Sequence, residues 1–180
     1  MSDIRVASRY AKSLIELAEE KNDLDHIASD MALLKKVNEQ NRDFYLMLKN
    51  PIVPHDKKLI ILKQLFEKKV QPLTISIFEI MVRKNRVNLL PELAEAFHEM
   101  YKEEKGIAEA TLLITFTPDE DLRQKFKEIV KSATGAKTVI LKEKITENII
   151  GGFILTVGDR QIDDSIRTKL KELQVNLTTA

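Results

Sequence analysis

Glycine is absent from the first 105 residues of this chain, and all five glycines lie at or after Gly106. Glycine commonly forms the tight turns between strands, whereas a helical bundle can join its helices through Asn, Asp and Pro. The chain has 180 residues, enough for one ordinary domain or two small ones. The glycine distribution therefore predicts a helical domain over residues 1–105, a boundary within residues 102–106, and a strand-containing domain over residues 106–180.

Apolar residues in the first domain recur at steps of three and four, which is the period of amphipathic helices. Capping residues and prolines divide this pattern, because Asn22, Asn41, Pro54, Pro72 and Pro91 each stand at or near a helix start. The pattern predicts a six-helix bundle.

After Gly106 the apolar residues alternate, which predicts a half-exposed strand over residues 108–116. Thr117 to Glu120 form a capping box that predicts a helix ending at Gly135. Residues 138–145 and 151–157 predict two more strands, the second covered on both faces because both faces are apolar. The predicted fold class is α+β, with the six-helix bundle followed by a small α/β domain that has a three-stranded mixed sheet.

The segment after residue 150 supports two interpretations. In the first, Gly158, Asp159 and Arg160 end a strand and a helix follows, capped by Asp163, Asp164 and Ser165 and carrying an apolar stripe of Ile162, Ile166, Leu170 and Leu173. In the second, Gly151 and Gly152 hold phosphate while the two aspartates hold a metal ion or act as a general base. The glycines lack the lysine and hydroxyl of a P-loop, so the sequence favours the capping interpretation.

No group of residues in the sequence predicts a catalytic, metal or cofactor site. The three histidines, His26, His55 and His98, lack a metal-ligand spacing, and cysteine is absent. The 29 Lys and Arg residues nearly balance the 28 Asp and Glu residues, which disfavours nucleic acid as the main partner. No apolar run approaches the roughly 20 residues of a membrane span, and no signal or transit peptide is recognisable. We therefore expect a soluble, cytosolic, non-catalytic protein without a cofactor.

Two predicted helices carry more apolar surface than packing on one side requires. The first has Val6, Tyr10 and Leu17 beside its inward stripe, and the fifth is apolar nearly all round. We predict that these helices lie side by side and form a groove for an amphipathic partner helix; the alternative is that both are central in the bundle. The predicted partner-binding residues are Val6, Tyr10, Leu14, Leu17, Ile75, Phe78, Glu79 and Val82.

Three stretches of the sequence carry a recognisable pattern. They are Arg9-Tyr10-Ala11-x-x-Leu14-x-x-Leu17-Ala18, then Phe78-x-x-Met81 with Asn85-Arg86-x-x-x-Leu90-Pro91-x-Leu93, and finally the residues Gly151, Gly152, Gly158, Asp159, Asp163, Ser165 and Leu170. Together they resemble the delta subunit of bacterial F-type ATP synthases, the family of the mitochondrial oligomycin-sensitivity-conferring protein, and the resemblance covers nearly the whole chain. Between Asp163 and Ser165 the family usually has a small residue, where this chain has Asp164.

This resemblance implies a structural subunit of the peripheral stalk, or stator, of a proton-translocating ATP synthase. In that family the N-terminal bundle binds the N-terminal helices of the alpha subunits, and the C-terminal domain binds the b subunits. The resemblance also implies peripheral attachment to the cytoplasmic side of a bacterial cell membrane, because no organelle-targeting segment is recognisable. The alternative is a small α/β enzyme or regulator that binds phosphate or a nucleotide.

Overall fold

A computed structural model describes the backbone of residues 3–178 and the side chains of residues 3–175. The chain forms two compact units that meet between Tyr101 and Lys102. This division lies inside a helix that ends at Lys105, close to the change of sequence pattern at Gly106. Each unit has a hydrophobic core of its own.

From residue 3 onward, where the structure describes the chain, the helical unit contains six α-helices and one 3-10 helix. The prediction of six helices omitted the 3-10 helix, because a three-residue segment is too short to display a helical period. The α-helices are α1 (Asp3–Glu20), α2 (Leu24–Gln40), α3 (Arg42–Lys49), α4 (His55–Phe66), α5 (Pro72–Arg83) and α6 (Leu90–Lys105), and the 3-10 helix is Val87–Leu89.

Asparagine takes the place of glycine where two of these helices end. Asn22 after α1 and Asn85 after α5 have φ values of +53° and +55°. After α5, the N–H of Asn85 donates to the carbonyl of Val82 at 2.9 Å and the N–H of Arg86 donates to that of Met81 at 2.8 Å. This is the hydrogen-bond pattern of a Schellman motif, in which asparagine tolerates the left-handed conformation better than most other residues. Asparagine caps thus explain how the helical unit turns without glycine.

Aromatic rings and aliphatic side chains fill the core of the helical unit. The ring of Phe66 lies between those of Phe44 and Phe78, with centroid distances of 6.0 and 5.9 Å, within the range of favourable aromatic pairs. Helix α5 supplies several buried residues to this core, namely Thr74, Ile77, Phe78, Met81 and Val82. Its nearly all-apolar sequence is therefore explained largely by a central position.

Asp30 on α2 caps α5 from a neighbouring helix. Its buried carboxylate accepts hydrogen bonds from the N–H of Gln71 at 2.7 Å and from Oγ1 of Thr74 at 2.6 Å. The cap residue of α5, Gln71, makes no side-chain cap of its own. Asp30 therefore satisfies a backbone donor that the start of a helix would otherwise leave unpaired.

Lys58 caps the C-terminal end of α3, where backbone carbonyls lack partners within the helix. Its side chain is buried, and Nζ donates to the carbonyl oxygens of Leu48 and Asn50, each at 2.8 Å. Burial lowers the pKa of Lys58, because loss of water disfavours the charged ammonium. The two carbonyls and the negative end of the α3 dipole offset part of that cost.

Up to residue 178, the last that the structure describes, the second unit consists of a mixed sheet with two α-helices and one 3-10 helix. Strand β1 lies inside the sheet, parallel to β2 and antiparallel to β3, and β3 pairs with β4 in an antiparallel hairpin, giving the order β2-β1-β3-β4. The elements are β1 (Ile107–Ile114), α7 (Glu120–Thr134), β2 (Thr138–Ile145), a 3-10 helix (Glu147–Ile149), β3 (Phe153–Val157), β4 (Arg160–Asp163) and α8 (Ile166–Thr178).

The prediction of three strands was wrong, because residues 160–163 form a fourth strand instead of the start of a helix. Gly158 and Asp159 make a two-residue loop, in which Gly158 has a φ of +55°. A glycine with positive φ at the first loop position is a feature of tight hairpins. Ile162 accordingly pairs with Leu155 in the sheet and is not part of a helical stripe.

Helix α7 covers one face of this sheet. Phe126 and Val130 on α7 pack with buried strand residues, and the ring of Phe126 meets that of Phe153 edge to face at 4.9 Å. The prediction that both faces of β3 are covered holds only in part, since Leu155 is buried and the other four residues are half-buried.

We expect a fragment ending at Lys105 to fold without the second unit. The core residues of the helical unit all precede Lys102, so the fragment retains every buried contact among them. Far-ultraviolet circular dichroism is expected to show a helical spectrum and one cooperative thermal transition. A spectrum of an unfolded chain would contradict this expectation.

Candidate partner-binding site

Gly151 and Gly152 lie against the chain segment that leads into α8. Gly152 has a φ of +77°, and a Cβ placed on it would lie 2.3 Å from the carbonyl oxygen of Asp164. A Cβ on Gly151 would lie 2.7 Å from Cδ1 of Ile166. The N–H of Ile166 also donates to the carbonyl of Gly151 at 3.0 Å. The glycine pair therefore allows two backbone segments to pack closely, a structural task that requires no ligand.

The two aspartates near the start of α8 are engaged within the chain. Asp163 accepts hydrogen bonds from the N–H of Ser165 and from Oγ1 of Thr168, each at 2.9 Å, and Ser165 Oγ accepts from the N–H of Thr168 at 3.3 Å. The hydrogen bond from the Ser165 N–H, assisted by the side chains of Ser165 and Thr168, lowers the pKa of Asp163. Asp164 forms an ion pair with Lys169 at 2.7 Å. These contacts support the capping interpretation over the phosphate and metal alternative.

The described residues contain no group of three or more His, Cys, Asp or Glu residues that could hold a metal ion. Within residues 3–178, no helix combines the length and the apolar character needed to cross a membrane.

Helix α1 presents part of its predicted contact surface to solvent. Val6 and Tyr10 are half-buried, and Leu17 is 44% exposed. Leu14, another predicted partner-binding residue, is only 1% exposed and belongs to the core, so it offers no free contact surface. The exposed apolar surface on α1 thus lies beside the core stripe that contains Leu14.

Helix α5 offers less free surface than the sequence predicted. Phe78 and Val82 are buried in the core, so placing them in an open groove was wrong. Ile75 and Glu79 are half-buried. Glu79 pairs with Lys63 on α4, and the hydrogen bond from Lys63 lowers the pKa of Glu79. Most of the apolar surface of α5 is therefore buried in the core, as expected if α5 is a central helix of the bundle.

A cleft of about 260 Å³ lies between α1 and the chain segment just after α5. Arg86 Nη1 donates to the hydroxyl of Tyr10 at 3.2 Å, and the guanidinium carbon lies 5.8 Å from the centre of the Tyr10 ring. Of the predicted contact residues, Tyr10 thus meets Arg86 directly, and Val6 lines the same cleft. The sequence placed Arg86 in a family motif but gave it no role. The lining residues are Val6, Arg9, Tyr10, Ser13 and Arg86.

In the second unit, α8 carries an exposed apolar stripe. Ile166, Leu170 and Leu173 follow one another at helical spacing, and each is exposed. Gly158 and Asp159 are exposed in the β3–β4 loop. Leu170, expected as a family residue with a structural role, therefore lies on the surface of this unit.

Further exposed apolar residues lie at the end of the sheet where β1 and β2 finish. Ile145 ends β2 and pairs with Ile114, while Phe116 follows β1 by two residues, and both Ile145 and Phe116 are exposed. Ile150 has a φ of +64° and is 66% exposed. This conformation is strained for a β-branched residue. The side chain of Ile150 is therefore exposed to solvent although its backbone is strained.

Comparisons with known proteins match almost the entire chain. The family model for the ATP synthase delta (OSCP) subunit matches residues 6–177. The ATP synthase subunit delta of Amoebophilus asiaticus is 37% identical over 179 residues, which cover 99% of this chain and 97% of that protein. The ATP synthase subunit delta of Cytophaga hutchinsonii is 42% identical over 178 residues, again covering 99% of this chain and 97% of that protein.

A solved structure gives a match of similar extent. A chain in the cryo-EM structure of the Toxoplasma gondii mitochondrial ATP synthase hexamer is 27% identical, with a TM-score of 0.71. The match covers 96% of this chain and 97% of that chain, so both units are included.

Proposed function

Because this chain belongs to the ATP synthase delta (OSCP) family and is a non-catalytic peripheral-stalk subunit, we propose that its two units bind two different parts of the synthase. The helical unit binds the N-terminal helices of the alpha subunits in the catalytic head. The second unit binds the b subunits, which rise from the membrane. The family match over both units is the observation that carries this proposal.

The surface of α1 supports binding of the alpha subunits. Leu17 is exposed, Val6 and Tyr10 are half-buried, and Tyr10 lines a cleft that a partner side chain would enter. An amphipathic helix laid along α1 would remove these apolar groups from water. Leu14, Phe78 and Val82 contribute from beneath by fixing the two helices in the core.

The exposed residues of the second unit support binding of the b subunits. The α8 stripe of Ile166, Leu170 and Leu173 would bury apolar area against a partner helix. If the side chain of Ile150 is an anchor residue in that contact, binding explains why the fold keeps its backbone in a strained conformation.

This arrangement gives the subunit a mechanical role at the cytoplasmic side of a bacterial membrane. Rotation of the central stalk exerts torque on the catalytic head, and the peripheral stalk must hold the head stationary. Such a task requires two long-lived interfaces and no chemical step. The subunit reaches the membrane through its partners.

We expect Leu17→Glu to weaken binding of the alpha-subunit N-terminal helix by about 30-fold or more, because the new carboxylate would lose water in the interface. Leu17 is 44% exposed, so the variant is expected to fold normally. The measurement is isothermal titration of the full chain with a synthetic peptide of the alpha-subunit N-terminus from the same organism, together with a melting curve.

Leu46→Glu provides a matched control on α3, where Leu46 is 49% exposed. Its affinity for the peptide is expected to equal that of the unmodified chain. Equal affinity of the Leu17→Glu variant, or a loss explained by a lower melting temperature, would argue against α1 as the binding surface.

A further inference from the structure

The end of α5 positions Arg86 beside α1. Asn85 takes a left-handed conformation with a φ of +55°, and the chain reverses so that the N–H of Arg86 bonds to the carbonyl of Met81. The guanidinium then lies over the ring of Tyr10 and donates to its hydroxyl. Tyr10 thus orients Arg86 from a separate helix.

Most of the hydrogen-bonding capacity of Arg86 is unused. A guanidinium has five N–H donors, and among residues 3–175, whose side chains are described, the side chain of Arg86 makes only the hydrogen bond to Tyr10. No carboxylate in that part of the chain lies within ion-pair distance of it, and Arg86 is exposed. A guanidinium held against an aromatic ring can still bind a carboxylate through its free edge.

The cleft around Arg86 combines positive charge with apolar surface. Its lining includes two arginines and no acidic residue, beside Val6 and the ring of Tyr10. A helix with an apolar stripe and a neighbouring carboxylate complements both features. We propose that Arg86 binds an Asp or Glu side chain of the alpha-subunit helix that docks on α1. This inference rests on the function proposed above and names the charged contact within it.

A phosphate group or nucleotide fits this cleft less well. Arg86 follows the C-terminal end of α5, where the helix dipole is negative, whereas protein phosphate sites commonly use the N–H groups of helix N-termini. The cleft volume of about 260 Å³ is also below the common range of small-molecule sites. One carboxylate on a docked helix matches one oriented guanidinium.

The test is a double-mutant cycle between the full chain and the alpha-subunit N-terminal peptide. Arg86→Gln is expected to weaken peptide binding about tenfold or more at low salt, which corresponds to the loss of one charge-assisted contact. A set of peptides, each with one acidic residue changed to its amide, is titrated against the unmodified chain and against the Arg86→Gln chain. One such peptide is expected to bind the unmodified chain about tenfold more weakly, with little further loss on the Arg86→Gln chain.

Arg83→Gln is the control, because Arg83 is an exposed arginine in the last turn of α5 that does not line the cleft. It is expected to change the affinity less than about twofold, and melting curves establish that each variant is folded at the titration temperature. Tight binding of the unmodified peptide by the Arg86→Gln chain would overturn the carboxylate contact while leaving the proposed function intact. Absence of binding to the unmodified chain would overturn both. Displacement of the peptide by millimolar inorganic phosphate, dependent on Arg86, would replace the carboxylate with a free anion site.

Discussion

Gly152→Ala is expected to lower the free energy of unfolding of the second unit by about 3 kcal/mol or more. Two costs combine, because alanine disfavours a φ of +77° and its Cβ would lie 2.3 Å from the carbonyl oxygen of Asp164. That neighbour is backbone in the short connection between β4 and α8, so relief requires movement of this connection relative to β3. Hydrogen exchange of the β1 and β3 amides in the full chain measures the effect on this unit.

Gly158→Ala separates the two costs. Gly158 also has a positive φ, +55°, but a Cβ on it would meet nothing within 4 Å. The expected loss is therefore about 1 kcal/mol, from the backbone conformation alone. Equal losses of stability in the two variants would mean that the close contact between Gly152 and Asp164 contributes nothing, and that backbone conformation explains both losses.

Asp30→Ala is expected to destabilise the helical unit by about 3 kcal/mol. The substitution removes the buried acceptor that the Gln71 N–H and the Thr74 hydroxyl share. Urea unfolding of the full chain, followed by hydrogen exchange of the α5 amides, measures the loss.

Asp30→Asn keeps an oxygen acceptor without the negative charge, so its expected loss is about half that of the alanine variant. Combining Asp30→Ala with Thr74→Val tests the shared hydrogen bond, since the double variant is expected to lose less stability than the sum of the two single losses. Strictly additive losses would show that Asp30 acts independently of Thr74.

The helical character of the N-terminal region and the mixed α/β character of the rest were predictable because both depend on local chemistry. The change from helical to alternating periodicity at Gly106 coincides with the beginning of β1 one residue later. The fourth strand was missed because Ile162, Ile166 and Leu170 are spaced like a helical stripe. The competing signal was the Gly158-Asp159 pair, a two-residue hairpin loop, and tertiary pairing with β3 decided between them.

The candidate contact residues were harder to predict, since an apolar side chain does not reveal whether its neighbour lies in the same chain or in a partner. Val82 and Leu17 have similar character in the sequence, yet Val82 is core and Leu17 is exposed. Arg86 was missed because its relation to Tyr10 spans 76 positions. The only local indication in the sequence was that Arg86 follows Asn85, an asparagine at a predicted helix end.

The place of β1 in the sheet determines how the second unit responds to mechanical tension. Only Gly106 separates α6 from β1, so tension carried by the chain enters the sheet at β1. Strand β1 is bonded along eight residue pairs to β2 and along five to β3. A pull along β1 shears both ladders at once, and many hydrogen bonds must break together. A pull on an outer strand could instead unzip one ladder bond by bond, so the chain enters this unit at its most shear-resistant strand.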